Sequence, residues 1–152
     1  MSKIIIAETI QGALPLVFST FTDLRNFGEC YQGITELTVL TEGPVRKGTV
    51  FSETRVMFNK ATSIEMEVTA FDDNKNYRVE NDAYGMHYIS DYEFSAAGVN
   101  THIKLTFEVR PQSFLTRLLS PLLGLMLMTT RKPMRQDLLD LQTFVSCQNA
   151  KA

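Results

Sequence analysis

The stretch VFSETRVMF, Val50 to Phe58, sets a carboxylate, Glu53, two residues from a guanidinium, Arg55, in a segment that alternates like a strand. Residues two apart in an extended strand share a face, so Glu53 and Arg55 point the same way, with Phe51 and Met57. If that face is the interior, the charges must meet each other or water, because an unpaired buried charge costs several kcal/mol. Inward polar groups of this kind could orient the polar end of a small molecule. With a phenol such as Tyr88, Glu53 could instead serve as acid and base on a carbonyl compound.

Other chemistry is faintly signalled. His87 and His102 stand apart and fall on the outward face of their strands, so neither a shared metal nor a histidine-centred triad is expected. No Ser occupies a nucleophile elbow and no Gly-rich phosphate loop occurs. No metal, no cofactor and no catalytic set is therefore assigned. Cys30 and Cys147 lack metal-type spacing and read as buried or half-buried reduced thiols of a cytoplasmic protein, with a disulfide between them left open. The formal net charge of −2 and the dispersed basic residues give no footprint for nucleic acid.

The elements that must position these residues follow from period and punctuation. Residues 3 to 10 alternate as a first strand, and Leu14, Val17, Phe18 and Phe21 have helical spacing, so two short helices are expected over 14 to 30. From Ile34 to Arg110 a period of two is broken at Gly43-Pro44, Asn59-Lys60, Asp73-Asn74, Tyr84-Gly85 and Ala97 to Asn100, which predicts six strands in an antiparallel meander. Residues 112 to 148 predict a long helix, bent or broken near Pro121 and Pro133. Its apolar part, Phe114 to Met128, falls short of the roughly 20 apolar residues of a membrane span. The opening MSKIIIAETI is interrupted by Glu8 and lacks the build of a signal peptide.

Two-residue hairpin loops fix which residues face each other. A loop at Asn59-Lys60 sets Glu53 opposite Met66 and Arg55 opposite Ile64. One at Asp73-Asn74 sets Met66 opposite Asn81 and Val68 opposite Val79, and Tyr84-Gly85 sets Asn81 opposite Tyr88 and Tyr77 opposite Tyr92. The three agree in parity. Phe51, Glu53, Arg55, Met66, Ala70, Tyr77, Asn81, Tyr88, Tyr92 and Phe107 then share the inward face, with Glu53, Asn81 and Tyr88 in one row. Glu65, Glu67, Arg78, Glu80, His87, Asp91 and Lys104 form an outward charge ladder in which Arg78 opposes Asp91. The helix is expected to offer Leu115, Leu118, Leu119, Leu122 and Met126, and later Leu138 and Leu141, to the inward face. A dry packed core would use the same apolar residues; the inward Glu53 and Arg55 favour a wet, roomy interior.

Several segments carry a resemblance. IQGALPLVFSTFTDLRNF, GPVRKGTVF, EVTAFDDNKNYRV and GVNTHIKLTFEV follow one another as the corresponding segments of the START-like (SRPBCC) superfamily do, and the chain most resembles its polyketide cyclase/dehydrase-like and coenzyme Q-binding-like members. The resemblance implies an α+β helix-grip fold: a curved seven-stranded antiparallel sheet wrapped around a long C-terminal helix, with two short helices after strand 1. It also implies that residues 1–152 form a single ligand-binding domain with an internal cavity for an apolar or amphipathic guest. The expected function is binding or transport of a hydrophobic small molecule such as a lipid, isoprenoid or polyketide, with Phe51, Glu53, Arg55, Met66, Tyr77, Asn81, Tyr88, Tyr92, Phe107, Leu122 and Met126 lining the site. The alternatives are a cyclase, dehydratase or isomerase in the same space, or a protein-interaction module. The basic cluster Arg131, Lys132 and Arg135, with Arg117, fits either a transient membrane contact or a solvated break at Pro133, and the break is the preferred reading. Oligomeric state stays open.

Overall fold

The computed structural model describes residues 2–26, 31–57 and 59–151. Strand β1 (Ser2–Ile10) leads into helix α1 (Leu14–Thr22) and a short 3-10 helix (Leu24–Asn26). Strands β2 (Ile34–Val39), β3 (Val50–Met57), β4 (Lys60–Asp72), β5 (Asn76–Ala83), β6 (Met86–Ala97) and β7 (Asn100–Pro111) follow, and then helices α2 (Phe114–Leu118) and α3 (Ser120–Lys151). All seven strands join one antiparallel sheet in the order β1-β7-β6-β5-β4-β3-β2, so the meander is flanked at its far end by the first strand. This is the helix-grip arrangement.

Apolar spacing explains which faces are buried. Val17, Phe18 and Phe21 of α1 sit on the sheet, where Phe18 meets Phe94 edge-on at 5.0 Å and Phe21 meets Tyr92 at 4.6 Å. Along α3, Leu138, Leu141 and Val145 are buried at helical spacing against Ile6, Ile10 and Ile103 of the same core. Burying each such side chain contributes about 1.5–3 kcal/mol. Glu8 on β1 reaches Arg135 on α3 at 2.7 Å, tying the helix to the sheet edge.

The hairpins keep the expected parity except next to the β4–β5 turn, and two registers differ. Met57 pairs with Lys60, so Glu53 stands opposite Ile64, Arg55 opposite Thr62, and Phe51 opposite Met66. Asn59 keeps its expected place in the loop at the left-handed φ of 61°, whereas Lys60, expected beside it, begins β4 as the partner of Met57. Between β4 and β5 the loop holds one more residue than expected, with Asp72 paired to Asn76 and Asn74 at a φ of 62°. A bulge between Val68 and Ala70 absorbs the extra residue and restores the Val68–Val79 pair. As a result Ala70 turns outward opposite Arg78, and Phe71 turns inward to meet Phe18 and Tyr77. The β5–β6 hairpin is as expected, its turn made by Tyr84 and Gly85 at φ of 53° and 74°, a conformation glycine adopts without strain.

The C-terminal segment breaks once, before Pro121. Ser113 and Thr116 form a capping box that starts α2, and Leu119 closes it one residue before α3 begins. Pro133 lies within α3 and does not end it. On the outer face, Arg78 and Asp91 are backbone partners, yet Arg78 turns to Thr69 and Glu80, while Asp91 accepts a hydrogen bond from Asn76 at 2.7 Å. Lys104 does meet an acid, Glu93, at 3.7 Å. Cys30 lies outside the described residues. Cys147 is an exposed free thiol rather than a buried one, because it follows Val145 onto the solvent side of α3.

Candidate functional site

Strand β3 presents Glu53 and Arg55 to the interior. Glu53 is 8% exposed, so its carboxylate is inside the fold. Arg55 closes on it through Nε and extends its two terminal nitrogens to Asp137 of α3, at 2.7 Å and 3.4 Å. The fork of the guanidinium suits two such carboxylates, one at its edge and one at its end. Room for it comes from Gly33: a Cβ there would fall 2.9 Å from an Arg55 terminal nitrogen. The result is one cation between two carboxylates, bridging sheet and helix.

Burial pushes the Glu53 carboxyl above its ordinary range, although Arg55 beside it pulls the other way. Asp137 behaves alike: burial raises it, Arg55 lowers it, and Asp140 nearby adds to the rise. For Arg55 burial opposes the charge, but Asp137 and Glu53 outweigh burial and hold the proton more firmly. The guanidinium thus stays charged, and the two acids compete for one positive neighbour. Both carboxyls are shifted the same way, upward, by burial.

Tyr77 and Tyr92 stand beside this cluster. Burial, then Tyr92 and Glu53, raise the Tyr77 phenol; burial, then Asp137 and Glu53, raise that of Tyr92. Tyr77 is 2% exposed, packs edge-on against Phe21 at 5.7 Å, and its Oη is buried without a hydrogen-bond partner among the described residues. A buried hydroxyl of this kind ordinarily finds a partner.

The remaining expected residues lie apart from this cluster or at its margin. Phe51 is buried in the core and Met66 packs at its margin. Phe107 belongs to a second cluster with Val109 and Leu127, and Tyr88 stacks on it at 6.1 Å. Asn81 pairs with Tyr88 across the strands and is half-buried, but the register shift removes Glu53 from their row, and Glu53 is held by Arg55 rather than placed with Tyr88. Leu122 is a correction: it is 53% exposed, and Leu115, Leu118 and Leu119 are exposed with it. Leu127 takes the sheet-facing position, and on a 3.6-residue period Leu122 then falls on the far side of α3. The side chain of Met126 lies outside the described residues.

Asp137 was missed in the sequence. Its signal was there, since Met134, Asp137, Leu138 and Leu141 fall at i, i+3, i+4 and i+7, which places an acid on the helix's apolar stripe. Two open hollows lie elsewhere. One of about 550 Å³ is lined by Lys75, Asn76, Glu93, Phe94, Ser95, His102 and Lys104, and one of about 350 Å³ lies between α1 and the turns near Pro44 and Asp73; neither includes a residue of α3. Among the described residues no three His, Cys, Asp or Glu side chains could hold a metal. No described helix is long and apolar enough to cross a membrane.

Solved structures share this fold. A protein of Thermus thermophilus is 17% identical, covering 97% of this chain and 99% of that one at a TM-score of 0.79. The Zhui aromatase/cyclase of a Streptomyces species is 11% identical over 95% of this chain and 93% of that one, at a TM-score of 0.78. A START superfamily protein of Mycobacterium smegmatis is 9% identical over 96% and 98% of the two chains, at 0.74. No family model and no curated protein matches the sequence. At these identities the likeness is one of architecture: the chain has the helix-grip fold of START-like (SRPBCC) proteins.

Proposed function

We propose that the chain acts as one domain that binds a hydrophobic small molecule between the inward face of the sheet and α3, with Glu53, Arg55, Asp137 and Tyr77 fixing its polar end. Phe51, Met66, Asn81, Tyr88, Tyr92 and Phe107 supply the surrounding wall. The observation that carries this reading is the Tyr77 hydroxyl, buried next to a charged cluster with no hydrogen-bond partner among the described residues. A guest offering one acceptor or donor there would satisfy it, while aromatic and Met side chains accommodate an apolar body. The apolar or amphipathic class of guest is what the resemblance to START-like proteins implies.

A second reading has its own support. Two carboxyls pushed upward on either side of one guanidinium could take and return a proton on a bound carbonyl compound, and one structure of this fold is an aromatase/cyclase. Titration of an amphipathic fluorescent probe, an apolar fluorophore carrying one polar hydrogen-bonding end, into wild type, Glu53→Gln and Tyr77→Phe tests the first reading: both variants bind at least fivefold more weakly, the worth of one hydrogen bond of about 1 kcal/mol. Unchanged affinity in both variants contradicts it. Turnover of a polyketide-like carbonyl compound that Glu53→Gln abolishes while affinity holds would favour the enzyme.

A further inference from the structure

The segment from Gln112 to Gln136 contains Arg117, Arg131, Lys132 and Arg135 and no Asp or Glu, in a chain whose net charge is −2. The same segment carries apolar side chains that the fold leaves outside. Phe114, Leu118, Leu122, Leu125 and Met128 are each more than half exposed, from 53% at Leu122 to 76% at Phe114. Tyr84 joins them: its turn is hydrogen-bonded to this segment, with Gly85 O accepting from Gln112 N at 2.9 Å and from Thr116 Oγ1 at 3.1 Å, and Tyr84 is itself 75% exposed. Leu122, Leu125, Thr129 and Lys132 follow one another at spacings of three and four, so a basic residue ends the apolar stripe, opposite the buried Leu127.

We propose that this face docks in the plane of an anionic lipid bilayer, its apolar stripe in the headgroup–acyl boundary and its basic residues on lipid phosphates. An aromatic and leucine stripe bordered by Arg and Lys has the composition of an interfacial helix, and its charge complements such a surface. Among the described residues Arg117, Arg131 and Lys132 form no ion pair, while Arg135 is held by Glu8. Asp82, outside the segment, accepts a hydrogen bond from Gln112 at 2.8 Å and meets His87 at 2.6 Å. A second copy of the chain fits the face less well. A twofold, antiparallel pairing of α2–α3 would bring Arg117 of each copy toward Arg131 and Lys132 of the other, with no acid in the segment to separate them.

Flotation of the full chain with vesicles tests this. The chain floats with vesicles of phosphatidylcholine containing about a third phosphatidylserine and stays behind with phosphatidylcholine alone. Binding falls about fivefold for each charge removed in Arg131→Gln and Lys132→Gln, and is lost in high salt. Leu122→Ser with Leu125→Ser weakens it at least tenfold. Because both leucines are exposed, these variants keep the wild-type circular dichroism and melting temperature, which separates lost docking from lost folding. Equal binding to both vesicle types, no binding to either, or a dimer in solution that Leu122→Ser dissolves overturns the proposal. The outcome is independent of whether the interior binds a guest, since Glu53→Gln leaves flotation unchanged.

Discussion

Two clusters of one basic group between two carboxyls lie on opposite faces of the sheet, and their carboxyls shift in opposite directions. Inside, Arg55 lies between Glu53 and Asp137, and burial drives both acids upward. Outside, His87 bridges Glu80 at 2.8 Å and Asp82 at 2.6 Å. There burial nudges Glu80 upward, but hydrogen bonds from Thr69 and His87 prevail and lower it; the bond to His87 lowers Asp82. His87 rises, first through Asp82 and then through Glu80. The same arrangement of groups therefore says little by itself. Desolvation decides which way a carboxyl beside a basic group is shifted.

The sharpest way to break the comparison is to remove the inner cation. Arg55→Met leaves two buried carboxylates facing one another and lowers the unfolding free energy by about 3 kcal/mol in a denaturant titration at neutral pH. A loss no greater than that of His87→Asn would erase the distinction between the faces.

The second effect is a pH profile of opposite slope. Glu53 and Asp137 bind protons more tightly in the folded state, so their contribution is full below the unfolded values of 4.5 and 3.8 and is lost as pH rises through the raised folded values. Glu53→Gln and Asp137→Asn each flatten that decline when stability is followed from acid to neutral pH.

Tyr77→Phe gives a smaller change with an informative sign. Removing a buried hydroxyl that has no hydrogen-bond partner among the described residues leaves the unliganded protein as stable as before, or up to about 1 kcal/mol more stable. A clear destabilisation in thermal melts would mean that the hydroxyl already has a partner.

The smallest effect belongs to the outer cluster. Glu80 and Asp82 are depressed, so their contribution is present above 4.5 and 3.8 and is lost as pH falls through the lowered values. His87 is raised, so its contribution is full below 6.5 and disappears as pH climbs through the higher folded value. The cluster stabilises most between those limits, and His87→Asn removes the decline above 6.5. The His87 ring, followed by NMR, also titrates lower in Asp82→Asn.

The inner face was legible because parity survives small errors. Shifting the β3–β4 register by two moved Glu53 from Met66 to Ile64 without turning it outward. Where one extra residue entered, at the turn near Asn74, parity failed locally and exchanged Ala70 for Phe71; a bulge leaves little trace in a single sequence. The helix was harder. Leucines at Leu115, Leu118, Leu119 and Leu122 look alike whether they face the core or solvent, and the break before Pro121 resets which side each one faces. Asp137 could have been found by its place on an apolar stripe, whereas its pairing with Arg55 depends on where α3 crosses β3, which no local pattern encodes.

Native mass spectrometry of the chain, purified without added ligand alongside Glu53→Gln and Tyr77→Phe, bears most directly on the interior as a binding site. Wild type should carry a hydrophobic small molecule as a non-covalent adduct, and both variants should carry markedly less of it. A bare polypeptide in all three samples, or equal occupancy across them, would contradict the assignment of these side chains to a guest.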